Sequence, residues 1–265
     1  MTLLHHDITF CNFDNSYKSQ PRLLAAAPHH WIDFTQLRGT HLYCSPEAFT
    51  HISDKLSTVP DKGLTFWGSG NYHYATLAML KNIHRPFSLV LFDHHTDLQE
   101  GSIGSMLSCG SWVRHAISQL ANLRGIAIIG PESNKALIDL VSERCRAVLF
   151  PEERFPTSEE LLSVLPTKHI YVSIDKDLLS ENDAKTNWDQ GTISLDKIVP
   201  ILDHLIEEKY VEGLDVCGEW PVRPHQQLNQ QTRTWISRNE RSNQRIARAF
   251  MRQARRRATQ SKHAI

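Results

Sequence analysis

Short apolar runs that end in Gly or Asp recur along the chain, and within them apolar and polar positions do not alternate. Such runs are typical of strands that are buried on both faces, as in a parallel sheet. Six runs are predicted as strands: Leu64–Trp67, Ser88–Phe92, Gly125–Ile129, Ala147–Phe150, Ile170–Ile174 and Val211–Val216.

Stretches with the apolar spacing of helices lie between these runs. They are predicted as helices over Tyr74–Asn82, Trp112–Leu120, Glu132–Glu143, Ser158–Leu165 and Ser194–Glu208. Regular alternation of strand and helix indicates an α/β fold. We therefore predict a doubly wound, mainly parallel sheet with helices on both faces.

The composition changes near Pro221. From Val222 onward the chain has ten arginines and one lysine against a single acid, Glu240, so this segment is basic and the rest is acidic. We predict one domain over residues 1–221 and a basic C-terminal helical extension over residues 222–265, with the helix itself spanning Thr234–Arg257. This helix is expected to be appended to the domain or to pack on a partner subunit of a homo-oligomer.

Several classes of protein do not fit the composition. No run of 18 apolar residues is present, which argues against a membrane-spanning helix. The first residues have no apolar core of a signal peptide. The five cysteines are scattered and form no Cys-x-x-Cys pair, so a disulfide framework is not expected. A reduced, cytoplasmic location is the expectation.

Residues that commonly bind metal ions follow three of the predicted strands. The three motifs are Asp93-His94-His95-Thr96-Asp97, Asp175-Lys176-Asp177 and Gly68-Ser69-Gly70-Asn71-Tyr72-His73. Alternate residues of an extended chain point the same way, so Asp93, His95 and Asp97 are predicted to share one face. In α/β sheets the carboxyl ends of the strands carry the ligand site.

The residue types fit a metal centre better than a set of turns. One Asp-x-Asp at a strand end is more often a turn or a cap, but three such motifs in one chain favour metal. Four aspartates and two histidines form an oxygen-rich site that suits Mn²⁺ and less often Fe, Co or Zn. Two ions about 3.5–4 Å apart can share bridging carboxylates and lower the pKa of a water molecule to about 7.

The three motifs resemble those of the arginase-like (ureohydrolase) superfamily. Asp93 to Asp97 is similar to the D-A-H-x-D motif of arginases and agmatinases, Ser173 to Asp177 to their S-x-D-x-D motif, and Gly68 to His73 to their G-G-D-H motif. The resemblance implies two Mn²⁺ ions. It places His73 and Asp97 on one ion, His95 and Asp177 on the other, and Asp93 and Asp175 between them.

The chain also departs from that pattern. The L-D-P sequence that follows S-x-D-x-D in arginases is replaced by Leu179-Ser180-Glu181, and their proton-shuttling histidine has no counterpart in Leu107–Trp112. Segments Ser108–Trp112, Thr186–Gly191 and Asp215–Glu219 resemble an atypical branch of the superfamily. Some of its members are peptide arginases, which convert arginine into ornithine within a ribosomally made precursor peptide.

These features predict a Mn²⁺-dependent hydrolase that releases urea from a guanidino group, with arginine in a peptide as the leading substrate. Asp97 is the candidate to relay a proton. Glu219 is the candidate to face the metals and clamp the guanidinium, because a carboxylate forms bidentate, charge-assisted bonds with such a group. Asp189 and Asn187 are further candidates for substrate binding, although both could instead form a turn.

Three alternatives remain open at the level of sequence. One is an arginase or agmatinase type of enzyme that acts on a free small guanidino compound. Another is an amide deacetylase on a related fold, which would use one metal ion. A third is a binding module whose basic tail contacts an acidic partner. For an enzyme of the leading class, the same tail could dock an acidic leader peptide. Nucleic acid is not expected as a partner, since no base-stacking aromatic residues accompany the arginines.

Overall fold

The computed structural model describes residues 2–59, 63–100, 106–131, 145–226 and 228–262. Within these residues a parallel sheet of nine strands forms the centre of the molecule. Its strands are β1 (Thr2–Leu3), β2 (Ile8–Asn12), β3 (His29–Asp33), β5 (Leu64–Phe66), β6 (Phe87–Phe92), β8 (Leu123–Gly130), β9 (Arg146–Pro151), β10 (His169–Asp175) and β11 (Tyr210–Cys217). The strand order is β3-β2-β5-β11-β10-β6-β8-β9, and β1 pairs with β11.

A second, small sheet pairs β4 (Tyr43–Cys44) with β7 (Leu107–Ser108) in antiparallel orientation. The α-helices of the described residues are α1 (Pro21–Leu24), α2 (Pro46–Ser57), α3 (Thr76–Leu80), α4 (Trp112–Gln119), α5 (Ser158–Val164), α6 (Leu195–Glu208) and α7 (Gln230–Lys262).

The helices cover both faces of the large sheet. Successive residues of β6 show why, because Leu89 and Leu91 belong to one apolar cluster while Val90 and Phe92 belong to the other. Helices α2, α3 and α4 supply side chains to the first cluster. Helices α5, α6 and α7 supply side chains to the second. The predicted doubly wound α/β fold is therefore confirmed.

All six predicted strands are present, with small shifts at their ends. The predicted helices are also present, except that Glu132–Glu143 lies outside the described residues. The segment before α3 is a 3-10 helix over Gly70–Ala75. None of the helices in the described part of the chain is both long and apolar enough to cross a membrane.

The C-terminal helix is longer than predicted and packs on its own chain. Ile246, Ala247 and Phe250 of α7 are buried in the same apolar cluster as the sheet. The helix contacts α6 and α1 of its own chain. The middle turns of α7 therefore contribute to the core, because their apolar stripe covers one face of the sheet, and the domain boundary at residue 221 stays a prediction.

The register of the sheet aligns the carboxyl ends of four strands. Phe66, Val216, Ile174 and Phe92 are cross-strand neighbours in β5, β11, β10 and β6. The residues that follow them therefore meet at the carboxyl edge of the sheet, and three of the four segments carry the motifs identified in the sequence.

Candidate metal centre

Two of the motifs fold into the same local turn after their strands. The Asp93 carboxylate accepts a hydrogen bond from the backbone N–H of His95 at 2.6 Å. The Asp175 carboxylate accepts one from the backbone N–H of Asp177 at 2.9 Å. Both are Asx turns, in which the side chain of an aspartate fixes the backbone two residues further on. Because the two ligands of each motif are two residues apart, this turn directs both of their side chains into one cavity.

The chain at Asp93–Asp97 is a loop, since β6 ends at Phe92. Asp93, His95 and Asp97 all line one cavity, as predicted, but Asp97 does so through a backbone φ of 51°. The His94 side chain lies on another side, with Nδ1 3.7 Å from a carboxylate oxygen of Glu152. The shared face is confirmed, and a turn rather than an extended strand produces it.

His73 reaches the same place from the third motif. The backbone N–H of Gly68 donates to the Tyr17 hydroxyl at 2.8 Å, and that of Ser69 donates to the Asp14 carboxylate at 3.1 Å. Gly68 has a φ of 95°, a conformation that residues with a side chain rarely adopt. The half-buried Asp14 and the buried Tyr17 therefore hold the turn that leads into His73.

A chain of hydrogen bonds sets which nitrogen of His73 faces the cavity. The Ser173 hydroxyl donates to the buried Asp215 carboxylate at 2.6 Å, so it accepts from Nε2–H of His73 at 2.8 Å. Asp215 also accepts from the hydroxyls of Thr76 and Tyr171. The lone pair of Nδ1 of His73 is then free to bind a metal ion, as in other sites where a hydrogen bond orients a ligating imidazole.

The side chains of the motifs converge closely. Nδ1 of His73 lies 3.3 Å from Asp93 Oδ2, 3.2 Å from Asp97 Oδ2 and 3.5 Å from Asp175 Oδ2. On the other side, Nδ1 of His95 lies 2.9 Å from Asp177 Oδ2 and 3.6 Å from Asp93 Oδ1. The convergence forms three groups that could each hold a metal ion: His73 with Asp93 and Asp97, Asp93 with His95 and Asp177, and His73 with Asp175 and Cys217.

Two buried atoms in this cluster indicate that a cation completes it. Among the described residues, His73 Nδ1 and Asp93 Oδ2 have no hydrogen-bond partner. Buried polar atoms without a partner are costly, and a metal ion would satisfy both. The donor set of carboxylates and imidazoles fits a divalent cation of the Mn²⁺ class.

The electrostatics of the cluster lead to the same conclusion. Burial raises the pKa of Asp97, Asp175 and Asp177, and the negative charge of neighbouring carboxylates raises it further. Burial acts to lower the pKa of His95, but the Asp177 and Asp93 carboxylates outweigh it and raise that pKa to about 12. The raised carboxyl pKa values thus share one cause, the burial of several carboxylates side by side, which a bound cation would relieve.

The cluster forms the floor of a cavity whose walls, as far as the described residues form them, carry no charged side chain. The small sheet of β4 and β7 and the loop around Trp188 form these walls. Besides His73, Asp93, His95, Asp97, Asp175 and Asp177, the cavity is lined by Leu42, Tyr43, Gly70, Gln99, Ser108, Cys109, Gly110 and Trp188. The Trp188 ring is 36% exposed, so it is open to a ligand.

The predicted substrate clamp does not lie in this cavity. Glu219 is buried, and its carboxylate is bonded to Lys176, Gln20 and Asn243. Glu219 is not among the residues that line the cavity. The carboxylate is instead held by the ammonium of Lys176, the residue between Asp175 and Asp177, and a role for Glu219 as a substrate clamp stays a prediction.

The loop after the second motif also differs from the prediction. Asp189 is exposed and does not line the cavity. Asn187 donates to Asn71 at 3.1 Å, and the Trp188 indole donates to the same Asn71 oxygen at 3.0 Å. Asn71 thus anchors the loop, and the residue that this loop presents to the cavity is Trp188.

Three supporting residues were missed in the sequence. Trp112 donates its indole N–H to Asp97 at 2.5 Å, the Cys217 thiol lies 3.1 Å from Asp175 Oδ2, and Ser173 orients His73. Ser173 precedes Asp175 by two residues, and this periodicity could have indicated its direction. The contacts of Trp112 and Cys217 depend on packing between distant segments.

Comparison with known proteins agrees with this geometry. The model of the "Arginase family" matches residues 16–253. An uncharacterized protein of Thermotoga maritima is 29% identical over 228 residues, which cover 84% of this chain and 86% of that protein.

Solved structures with low sequence identity share the fold. Formimidoylglutamase from Bacillus subtilis superposes with a TM-score of 0.66 at 13% identity, covering 95% of this chain and 87% of that one. Proclavaminate amidino hydrolase from Streptomyces clavuligerus gives 0.62 at 16% identity, with 93% and 92% covered. Arginase from Bacillus caldovelox gives 0.63 at 13% identity, with 93% and 98% covered.

Proposed function

The chain belongs to the arginase family, a family of hydrolases that act on the C–N bonds of amidino groups, and we propose that it releases urea from an arginine side chain within a peptide, with two Mn²⁺ ions as cofactor. The product would be an ornithine residue. A hydrolase of a free small guanidino compound is the alternative within the same chemistry.

The observation that carries the proposal is a pair of ligand groups that share one carboxylate. His73 and Asp97 would hold one ion, His95 and Asp177 the other, and Asp93 belongs to both groups. Asp175 would be the second shared ligand, since its Oδ2 lies 3.5 Å from His73 on the floor of the same cavity. Two groups of this kind support a two-ion centre over the single ion of a deacetylase.

When bound, the ions would neutralise the carboxylates and lower the pKa of a water molecule, so that it can attack at neutral pH. Water adds to the guanidinium carbon and the bond from that carbon to the side-chain nitrogen breaks. Urea leaves, and the ornithine amine takes the proton that the water gives up. We assign the transfer of this proton to Asp97, whose Oδ2, the oxygen that lies 3.2 Å from Nδ1 of His73, also accepts the Trp112 indole N–H.

The uncharged cavity walls support a substrate without free ammonium and carboxylate groups next to the guanidino group. Among the lining residues that the structure describes, no charged side chain lies outside the metal cluster. A free amino acid bound there would lose the hydration of two charged groups and gain no ion pair, which is unfavourable. The flat Trp188 ring offers a planar guanidinium a stacking surface, a cation–π contact.

The test is a urea-release assay with the Mn²⁺-loaded enzyme. Peptides with arginine in a central position should give a higher kcat/KM than free arginine, agmatine or guanidinobutyrate. Trp188→Ala should lower kcat/KM for the peptide with little change in Mn²⁺ affinity, and Asp189→Ala, the exposed neighbour, is the matched control.

Efficient turnover of free arginine with none of the peptide would overturn the peptide assignment and leave a small-molecule hydrolase. No urea from any guanidino compound, with metal bound, would contradict the reaction itself.

A further inference from the structure

Glu219 lies at the centre of a buried polar cluster behind the metal centre. The cluster consists of Lys176, Glu219, Gln20 and Asn243, each at most 1% exposed. We propose that this Glu219 cluster is a positioning device, which locks two of the three ligand-bearing turns, Gly68–His73 and Asp175–Asp177, to helix α7 so that metal affinity depends on how that helix packs. The proposal rests on the metal site proposed above.

Glu219 bonds both turns directly. Its backbone N–H donates to the carbonyl of Gly68, in the turn that leads to His73, at 3.0 Å. Its carboxylate accepts from the ammonium of Lys176. Lys176 stands between Asp175 and Asp177, so its backbone belongs to the turn that carries these two ligands. One residue therefore connects two segments that supply metal ligands.

Close packing around Gly218 restricts any movement of Glu219 relative to the Asp175–Asp177 turn. Gly218 has a φ of 87°, and a side-chain carbon placed there would lie 2.5 Å from an Asp175 oxygen and 2.7 Å from the Lys176 nitrogen. The end of β11 is thus pressed against the Asp175–Asp177 turn. A change in the position of Glu219 must then be accompanied by a change at Asp175.

The side-chain amides of Asn243 and Gln20 hold the Glu219 carboxylate. Asn243 of α7 donates to Glu219 at 2.6 Å and to Gln20 at 2.8 Å. Gln20 donates to the other Glu219 oxygen at 2.7 Å. Both carboxylate oxygens are therefore bonded within the protein. Among the described residues, the buried Asn243 Oδ1 has no hydrogen-bond partner, so the geometry of this network depends on the donors that Asn243, Gln20 and Lys176 direct at the carboxylate.

Asn243→Leu tests the cluster without adding or removing a charge. It should weaken Mn²⁺ binding about 10-fold or more, the usual effect of losing a group that orients metal ligands. The matched control is Asn239→Leu, one turn earlier on α7. Asn239 is equally buried, but it bonds the backbone of Lys185 instead. It should cost similar stability and leave Mn²⁺ affinity unchanged.

The measurement is Mn²⁺ titration of the metal-free protein by calorimetry, together with the visible spectrum of the Co²⁺-loaded protein, which reports ligand geometry. The spectrum should change in Asn243→Leu and not in Asn239→Leu. If Asn243→Leu does not fold, Gln20→Met removes the opposite anchor and should produce the same loss of affinity. Equal Mn²⁺ affinities and spectra for the wild type, the control and the cluster variant would overturn the proposal.

Glu219→Gln separates this role from that of a substrate clamp. Positioning predicts weaker Mn²⁺ binding, with an unchanged KM once the site is saturated with metal. A clamp predicts a raised KM with unchanged metal affinity, and that result would overturn the proposal. A wild-type protein that binds no Mn²⁺ would refute the proposed function itself and this inference with it.

Discussion

At the scale of single residues, the metal centre is built from side chains that also fix the backbone. Asp93 and Asp175 each accept a hydrogen bond from the N–H two residues on, which places His95 and Asp177. The sequence predicted these ligands because short spacings determine them. It could not predict the direction of Glu219, since that side chain is bonded to residues 24 and 199 positions away.

Replacing either shared aspartate should abolish activity. Asp93→Ala and Asp175→Ala each remove a ligand assigned to both ions together with the Asx turn beside it, so Mn²⁺ binding and urea release should fall together while circular dichroism shows a retained fold. His94→Ala is the control, because its side chain lies toward Glu152 and only its backbone N–H bonds Asp177. Equal losses at His94 and His95 would mean that the ligand assignment is wrong.

Trp112→Phe tests the residue that supports the proton-transfer group. Phenylalanine keeps a ring in the core but has no N–H for Asp97, so kcat should fall by about 10- to 100-fold, as for other groups that orient metal ligands. The readout is kcat together with the pH dependence of kcat. Val113→Ala controls for loss of packing, because Val113 is buried and its one polar contact with Asp97, a hydrogen bond from its backbone N–H to the Asp97 carbonyl, is unchanged by the substitution. Unchanged kcat in Trp112→Phe would exclude the indole from this role.

At the scale of elements, the strands from β5 to β9 in the order of the sheet were predictable, and β2 and β3 on its other side were not. Strands β6, β8 and β10 are continuous apolar runs because both of their faces are covered. Strand β3 (His29–Asp33) lies at the edge and is largely exposed, so it has no such run. Helix α2 was missed although Ser45 caps it and Pro46 occupies its first position, both of which are recognised start signals.

Helix α7 is the element whose role changed most between sequence and structure. Its apolar stripe is short, but Phe250 is buried in the main core. Phe250→Ala should therefore lower the free energy of unfolding by about 3–5 kcal/mol. Arg248→Ala, at an exposed position of the same helix, should change it by less than about 0.5 kcal/mol. Urea denaturation measures both, and a small effect at Phe250 would mean that the helix is not part of the core.

At the scale of the whole molecule, the charge asymmetry of the sequence is partly internal. Arg245 and Arg252 of α7 pair with Asp196 and Asp203 of α6, and Glu240 pairs with Arg22. Part of the basic charge that suggested a docking site for an acidic partner therefore faces the acidic part of the same chain. Exposed pairs of this kind contribute little stability individually. Helix α7 is therefore held on the domain mainly by the packing of its apolar residues.

The global arrangement also explains why the three motifs could be assigned to one site before the structure was known. Parallel strands align their carboxyl ends, and the register of β5, β11, β10 and β6 makes that alignment close. The cavity walls were not predictable in the same way, because they come from the pairing of β4 with β7 and from the Trp188 loop. The fold and the metal ligands could be predicted from local sequence patterns. The surface that would contact the substrate could not, because it depends on contacts between segments that are distant in the sequence.

The most direct test of the metal centre is the number of ions that each chain binds. Elemental analysis after loading with Mn²⁺ and removal of free metal should give about two ions per wild-type chain, as for other two-metal hydrolytic sites. Asp93→Ala should give markedly fewer, because Asp93 belongs to both ligand groups. A wild-type value of one ion or fewer per chain would contradict the two-ion centre on which the proposed reaction depends.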